Sequence, residues 1–199
     1  MSDFEKEIDQ LPEDNIIGSS LKGRYTIDRY LDRGENGFVY VVTDLKKPRS
    51  LLVMKMTSEY MEFAQEIKMM RRISRHSCER FSTPEVVDYG LAMYKNQLHA
   101  WVIMPRYGYN LDLYCGKLEY KLSNESILDI GKAVLFTLEA THKAGYVYND
   151  LKLDNLMVGY GQKVSKNSTN NSMFRDCTIH LVDFGYASKY LENEGTHIK

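Results

Sequence analysis

The chain has 199 residues, a formal net charge of -1 and 43% hydrophobic residues, enough apolar material for a packed core. The near-neutral balance offers no electrostatic footprint for nucleic acid, and no apolar run is long enough to span a bilayer. Cys78, Cys115 and Cys177 form no CxxC pair or Cys/His cluster, so neither a disulfide framework nor a zinc site is expected and a reducing compartment fits.

Met1 to Glu7 is acidic and lacks the apolar run of a signal peptide. The default location is therefore the cytoplasm, with the nucleus open. Residues 1–20 are polar and acidic, with Pro12 and Gly18, and read as a partly disordered lead-in. Tyr25, Ile27, Tyr30 and Leu31 predict a strand entering a glycine-bearing turn, and Gly37 to Val42 the returning strand. Lys46 to Ser50 is a turn, and Leu51 to Met56 a third strand. Residues 58–75 show helical spacing, with Phe63, Ile67 and Met70 on one stripe. Val86 to Leu91 and Leu98 to Met104 read as two more strands. Five strands with one helix after the third predict a small, mostly antiparallel lobe.

Past Pro105 the pattern turns helical. Asn110 to Leu118 is a short helix, and Ser123 caps a longer one ending near Lys143, with Ile127, Ile130, Val134 and Leu138 on its apolar stripe. A loop, Gly145 to Asn155, leads to the short strands Leu156 to Val158 and Thr178 to Val182. Between them, Lys163 to Asn171 has the polar composition of a solvent-looped insertion.

Four features carry chemistry. Gly34-Glu35-Asn36-Gly37 lies between two strands, where glycines allow backbone N–H groups close to phosphates; an ordinary tight turn would look the same. Lys55 ends an otherwise apolar strand and needs an anionic partner, either a phosphate or Glu66 on the next helix; a solvated edge lysine is the plainer alternative. Asp150-Leu151-Lys152-Leu153-Asp154-Asn155 puts a carboxylate, a cation and an amide in one loop, the combination that phosphoryl transfer uses; a loop that caps helix ends is the plainer alternative. Asp183-Phe184-Gly185 places a carboxylate at a strand end, within reach of a magnesium ion; an ordinary turn is the plainer alternative. The four occur in the order, and on the elements, of the protein kinase signature set.

Residues 24 to 198 resemble the casein kinase I group of protein kinases, including its vaccinia-related and tau-tubulin relatives. Met104-Pro105-Arg106-Tyr107-Gly108-Tyr109-Asn110-Leu111 is similar to that group's hinge. Asp154-Asn155-Leu156-Met157-Val158-Gly159 and His180 to Tyr190 resemble its catalytic-loop and Asp-Phe-Gly stretches, and Thr196-His197-Ile198 the start of its activation segment. The resemblance implies an α+β, bilobal kinase fold: an extension over 1–23, an N-lobe over 24–104, a hinge over 105–108 and a partial helical C-lobe over 109–199. It implies that Lys55 holds the α/β-phosphates of ATP and pairs with Glu66. Asp150 would be the catalytic base, Lys152 would contact the γ-phosphate, and Asn155 and Asp183 would hold Mg²⁺. Leu31, Val39, Val53 and Met157 would sandwich the adenine, below the glycine loop of Gly34 and Gly37. Met104 would be the gatekeeper, and the backbone of Arg106 and Tyr107 would bond the adenine edge. The implied partner is a protein substrate, acidic or pre-phosphorylated, phosphorylated on serine or threonine.

Four departures from the group's pattern set further expectations. Asp32 replaces the first glycine of the phosphate loop, and Asn36 the aromatic at its tip. Tyr148-Asn149 replaces His-Arg before Asp150, which removes a dock for an activation-loop phosphate, so activity is expected without loop phosphorylation. The loop between Asn155 and Asp183 is longer than usual. The chain ends at Lys199, before the helices that cover the long helix near Val134 and Leu138, so an apolar face is expected there and a partner chain or further segment to complete the lobe. Asp32, Asn36, Tyr148 and the chain end also define a second reading, a pseudokinase or docking module without turnover.

Overall fold

The computed structural model describes residues 8–34, 37–76, 85–117, 119, 121–162, 172–191 and 197. The readings made for Glu35, Asn36, Cys78, the 163–171 insertion, Thr196 and Ile198 fall outside them. The chain divides into two units, Met1–Lys68 with Glu85–Arg106, and Met69–Pro84 with Tyr107–Lys199.

The first unit is built on β1 (Ile8–Gln10), β2 (Ser20–Leu21), β3 (Tyr25–Gly34), β4 (Gly37–Asp44), β5 (Leu52–Thr57), β6 (Asp88–Tyr94) and β7 (Gln97–Pro105), with α1 (Tyr60–Ser74) after β5, whose residues up to Lys68 fall in this unit. The strands form one seven-stranded sheet in the order β1-β6-β7-β5-β4-β3-β2. All pairings are antiparallel except β1 with β6. Alternation along β5 sends Met54 and Met56 to one face and Val53 and Lys55 to the other. Met54 and Met56 join Tyr25, Ile27, Val42, Trp101 and Ile103 in the larger core. On the opposite face Phe63 and Ile67 of α1 pack on Leu91, Ala100 and Val102, each such burial stabilising by about 1.5–3 kcal/mol.

Two expectations need correcting here. Residues 8–21 are not a loose lead-in. Ile8–Gln10 pairs with Leu91–Met93, the Leu11 N–H donates to the Met93 carbonyl at 3.0 Å, and Leu11, Ile16 and Leu21 are buried in the larger core. Their five-residue spacing fits neither a helical nor a strand period, so periodicity could not reveal them. Lys22, just past β2 at one edge of the sheet, reaches the other edge. Its N–H donates to Asp9 Oδ1 at 2.7 Å and its Nζ to Asp88 Oδ1 and the Tyr89 carbonyl, both at 2.7 Å. Secondly, β6 begins at Asp88 and runs to Tyr94, past the expected end at Leu91. The hairpin Tyr94-Lys95-Asn96-Gln97 sets that end. Lys95 and Asn96 have φ of 50° and 56°, the left-handed pair of a two-residue turn, which the sequence does not flag because no glycine is present.

The second unit contains β8 (Tyr107–Asn110), α2 (Leu111–Lys117), α3 (Asn124–Lys143), β9 (Tyr146–Val147), a 3-10 turn (Leu153–Asn155), β10 (Leu156–Gly159), β11 (Ile179–Leu181) and β12 (Ser188–Lys189). Ser123 caps α3, its Oγ accepting from the Ser126 N–H at 3.2 Å. The buried face of α3 differs from the expected stripe. It consists of Ser126, Ile130, Thr137, Ala140 and Thr141, while Ile127, Leu128, Leu135 and Phe136 are exposed and Val134 and Leu138 half-buried. Small and hydroxyl-bearing residues suit close packing on β9 and β11. The Thr137 and Thr141 hydroxyls donate to the carbonyls one turn back, at 3.1 and 2.8 Å, so their burial leaves no donor unsatisfied.

β10 pairs with both β11 and β8. The β8 partner was not expected, since Tyr107–Asn110 reads as hinge. Gly108 makes the pairing possible: a Cβ there would lie 3.0 Å from the Val158 carbonyl oxygen and 3.3 Å from that of Gly159. β12 pairs with β9, Ser188 opposite Val147 and Lys189 opposite Tyr146. Among the described residues no helix is long and apolar enough to cross a membrane.

Candidate functional site

In the first unit, β5 places Lys55 on the face that carries α1. Its Nζ lies 3.6 Å from Glu66 Oε1, with the two side chains only 15% and 9% exposed, and 5.1 Å from the centre of the Phe63 ring. A half-desolvated ammonium needs such a counter-charge. Val39 is directly opposite Lys55, and Met104 directly opposite Val53. Opposed residues share a sheet face, so Val39, Val53, Lys55 and Met104 line one surface. Leu31 is exposed, beside the second register shift of β3. The β3–β4 hairpin closes with Gly34 opposite Gly37. Gly37 has φ +140°, and a Cβ on it would collide with the Met56 carbonyl oxygen, so the glycine is required by the close approach of β4 to β5. Asp32 is exposed, and its Oδ1 accepts from the Arg33 N–H at 2.7 Å.

The backbone of Arg106 is partly engaged. Its N–H donates to the Leu51 carbonyl at 2.8 Å. Of the backbone groups assigned by resemblance to an adenine edge, the Arg106 N–H is therefore already used within the sheet, and Tyr107 stands opposite Gly159 in the β8–β10 pairing.

In the second unit, the loop after β9 and the 3-10 turn gather Asp150, Lys152 and Asn155. Lys152 Nζ lies 3.0 Å from Asp150 Oδ2. Buried Asn155 donates through Nδ2 to Asp150 Oδ2 at 2.8 Å and to the Asp150 carbonyl at 3.0 Å. The hydrogen bond from Lys152, aided by that from Asn155, holds the Asp150 carboxyl below its ordinary range; burial opposes them, by less than the Lys152 bond and more than the Asn155 bond. The carbonyl of Asn155 accepts from the Val182 N–H at 3.0 Å, which ties the loop to the residue before Asp183. Asp183 itself has φ +58°, a backbone state that non-glycine residues hold only under local constraint. Its Oδ1 accepts from the Gly185 N–H at 3.3 Å.

Both Asn155 amide bonds use Nδ2, which turns Oδ1 away from Asp150. That oxygen and the Asp183 carboxylate are hard donors of the kind Mg²⁺ takes when phosphates complete its shell. Among the described residues no three His, Cys, Asp or Glu side chains gather as a self-sufficient metal cage. The donor set fits a magnesium ion shared with a nucleotide. Met157, half-buried on β10, pairs with His180 and Asn110.

Sequence reasoning did not find what Tyr148 and Asn149 do. The Tyr148 hydroxyl donates to the Val182 carbonyl, and its buried ring meets Phe184 edge-on, with centroids 5.0 Å apart. Asn149 has φ +67°, and its Nδ2 donates to the Tyr186 carbonyl at 3.2 Å and to Ser188 Oγ at 2.9 Å. The only available signal was negative: two residues that depart from a family pattern at a place where chemistry is expected.

The family described as "Protein kinase domain" matches residues 25–198. Among curated proteins, the chain is similar to the human serine/threonine-protein kinase VRK2, 24% identical over 94% of this chain and 36% of that protein. It is also similar to a probable casein kinase I homolog of Encephalitozoon cuniculi, 26% identical over 87% of this chain and 49% of that protein. The B1 kinase of vaccinia virus is 21% identical over 92% of this chain and 58% of its own length. The chain spans between 36% and 49% of the length of the first four such relatives.

Proposed function

The chain belongs to the protein kinase domain family, and from that premise we propose that the protein is a serine/threonine kinase of the casein kinase I and vaccinia-related kind. The observation that carries this reading is the Asp150 carboxylate, held at one oxygen by both Lys152 and Asn155.

The roles follow from the chemistry of each group. When bound, ATP supplies the phosphoryl group and Mg²⁺ neutralises its oxygens. Lys55, fixed by Glu66, would neutralise phosphate charge, and Asn155 and Asp183 would hold the metal. Asp150 accepts the hydrogen bond of the substrate hydroxyl. A carboxylate held below its ordinary range is a weak base, so it mainly orients the oxygen and takes the proton late. Lys152, beside the same oxygen, offers positive charge to the moving phosphoryl group. The proposed substrates are acidic or pre-phosphorylated proteins. A partner or further segment that covers the exposed side of α3 belongs to the same proposal.

The second reading, a docking module without turnover, rested on Asp32 among other departures. That side chain is exposed and bonded to its own neighbour's N–H, which lessens its weight. Calorimetric titration of the full-length protein with ATP, with and without Mg²⁺, discriminates. The kinase reading expects Mg²⁺ to tighten ATP binding at least tenfold and Asp183→Asn to abolish that gain. Binding that ignores the metal would favour the docking module.

A further inference from the structure

The segment after Asp183 is tied to the loop before Asp150 at several backbone points. β12 pairs with β9. The Tyr190 N–H donates to the Gly145 carbonyl at 3.0 Å, and the Tyr190 hydroxyl to the His142 carbonyl at 3.0 Å. Phe184 is anchored by burial. Between these anchors lies the turn Gly185-Tyr186-Ala187, closed on itself by the Ala187 N–H donating to the Phe184 carbonyl at 3.0 Å. Tyr186 is 60% exposed, so its ring does not hold the turn.

Asn149 bridges this gap. One Nδ2 group donates to acceptors on either side of Ala187, the Tyr186 carbonyl and Ser188 Oγ. The backbone limits what can stand here. At φ +67°, glycine, asparagine and aspartate are tolerated and other side chains are strained. Glycine has no side chain to donate. Aspartate is acceptor-only when ionised and would face the Tyr186 carbonyl oxygen with like charge. Asparagine combines the allowed backbone with an amide that has two protons to give.

We propose that Asn149 is a positioning residue for phosphoryl transfer: its neutral carboxamide holds residues 186–188 against the loop that bears Asp150, so that the segment after Asp183 keeps its conformation without any phosphate group. The proposal rests on the kinase reading. It goes beyond that reading in assigning the ordering of this segment to one amide and two neutral acceptors. Because no charge takes part, the link is insensitive to salt and to phosphatase. Asn149 acts through Asp150 and Asp183 and need not touch the nucleotide, so its loss should appear in kcat and leave ATP affinity alone.

The test uses the full-length protein, treated with phosphatase and shown by intact mass to carry no phosphate. Transfer to casein is measured for wild type, Asn149→Gly, Asn149→Asp and Ser188→Ala, together with amide hydrogen exchange over residues 186–190. The untreated wild type is assayed in parallel. Expected are a wild-type rate unchanged by phosphatase and a fall in kcat of about tenfold for Asn149→Gly, with KM for ATP within twofold. That figure corresponds to about 1.4 kcal/mol, the scale of two exposed neutral hydrogen bonds. Exchange at Ala187 should rise by a similar factor. Asn149→Asp should lose at least as much as Asn149→Gly although it preserves the shape of the side chain. Ser188→Ala, which leaves residue 149 and its backbone intact, should lose about twofold to fourfold and serves if Asn149→Gly does not fold. A kcat within twofold of wild type for Asn149→Gly, or loss of wild-type activity on phosphatase treatment, would overturn the proposal while the kinase reading stands. Absence of transfer by phosphatase-treated and untreated wild type alike would overturn the kinase reading, and with it the catalytic role of Asn149.

Discussion

Replacing Gly37 with alanine should open the β4–β5 pairing at the mouth of the glycine hairpin. The φ of +140° lies where L-residues rarely go, and the new Cβ would collide with the Met56 carbonyl oxygen while lying 3.1 Å from the Met56 carbonyl carbon and from Thr57 Cβ. The first obstacle is backbone strain of about 1–3 kcal/mol. The second is overpacking against a backbone atom, which cannot rotate aside, and adds roughly 1–3 kcal/mol. Relief of either requires Gly37 to move away from β5, and that breaks the register Phe38 opposite Met56. The expected loss is therefore about 3 kcal/mol. Urea denaturation of wild type and Gly37→Ala, compared at equal m-value, reads it as a lower midpoint. Hydrogen exchange at Phe38 and Met56 should rise with it. A destabilisation under about 0.5 kcal/mol with unchanged exchange would refute the steric argument.

Gly131 provides the opposite sign: it lies inside α3 with nothing within 4 Å of an added Cβ, so Gly131→Ala should stabilise by about 0.5–1 kcal/mol in the same urea assay. The bidentate pair of Arg24 with buried Asp44, at 2.9 and 2.6 Å, predicts an acid-sensitive fold. The Arg24 guanidinium holds the Asp44 carboxyl down at about 2 from an ordinary 3.8. A depressed folded-state value gives stability that is complete above the unfolded value and is lost as pH falls through about 2. The stability advantage of wild type over Asp44→Asn should therefore shrink between pH 4 and pH 2, and a constant difference across that range would contradict the pairing. Asn155→Ala removes the amide from Asp150 and one of the two proposed metal donors. Transfer should fall by about a hundredfold, and the acid limb of the residual pH–rate profile should move to higher pH as the Asp150 carboxyl regains a more ordinary value.

The sequence exposed those parts of the fold in which side-chain type and period speak together. β3, β4, β5, β7, α1 and the Ser123-capped α3 are each marked by alternation, helical spacing or a cap. Leu11, Ile16 and Leu21 were not legible, because three apolar residues at equal long spacing match no period and gain meaning only on the face of a curled sheet. The end of β6 depended on a left-handed Lys95-Asn96 turn that composition does not announce. Of the expected α3 stripe only Ile130 is buried, because hydropathy favours Ile127, Val134 and Leu138, whereas close approach to β9 and β11 favours Thr137 and Thr141. At the site, Lys55, Glu66, Asp150, Lys152, Asn155 and Asp183 were picked out by chemical type and order. The hydrogen bonds of Tyr148 and Asn149 were not, since each depends on a backbone turn that brings residues 182–188 to them.

Phosphate transfer by the full-length protein tests the central claim most directly. Wild type and Asp150→Asn are incubated with Mg-ATP and casein, and nucleotide affinity is measured alongside. The account predicts transfer by wild type, a fall of at least about a hundredfold in the variant, and ATP affinity that differs between them by less than threefold. Equal transfer by both proteins, or none by wild type, would contradict it.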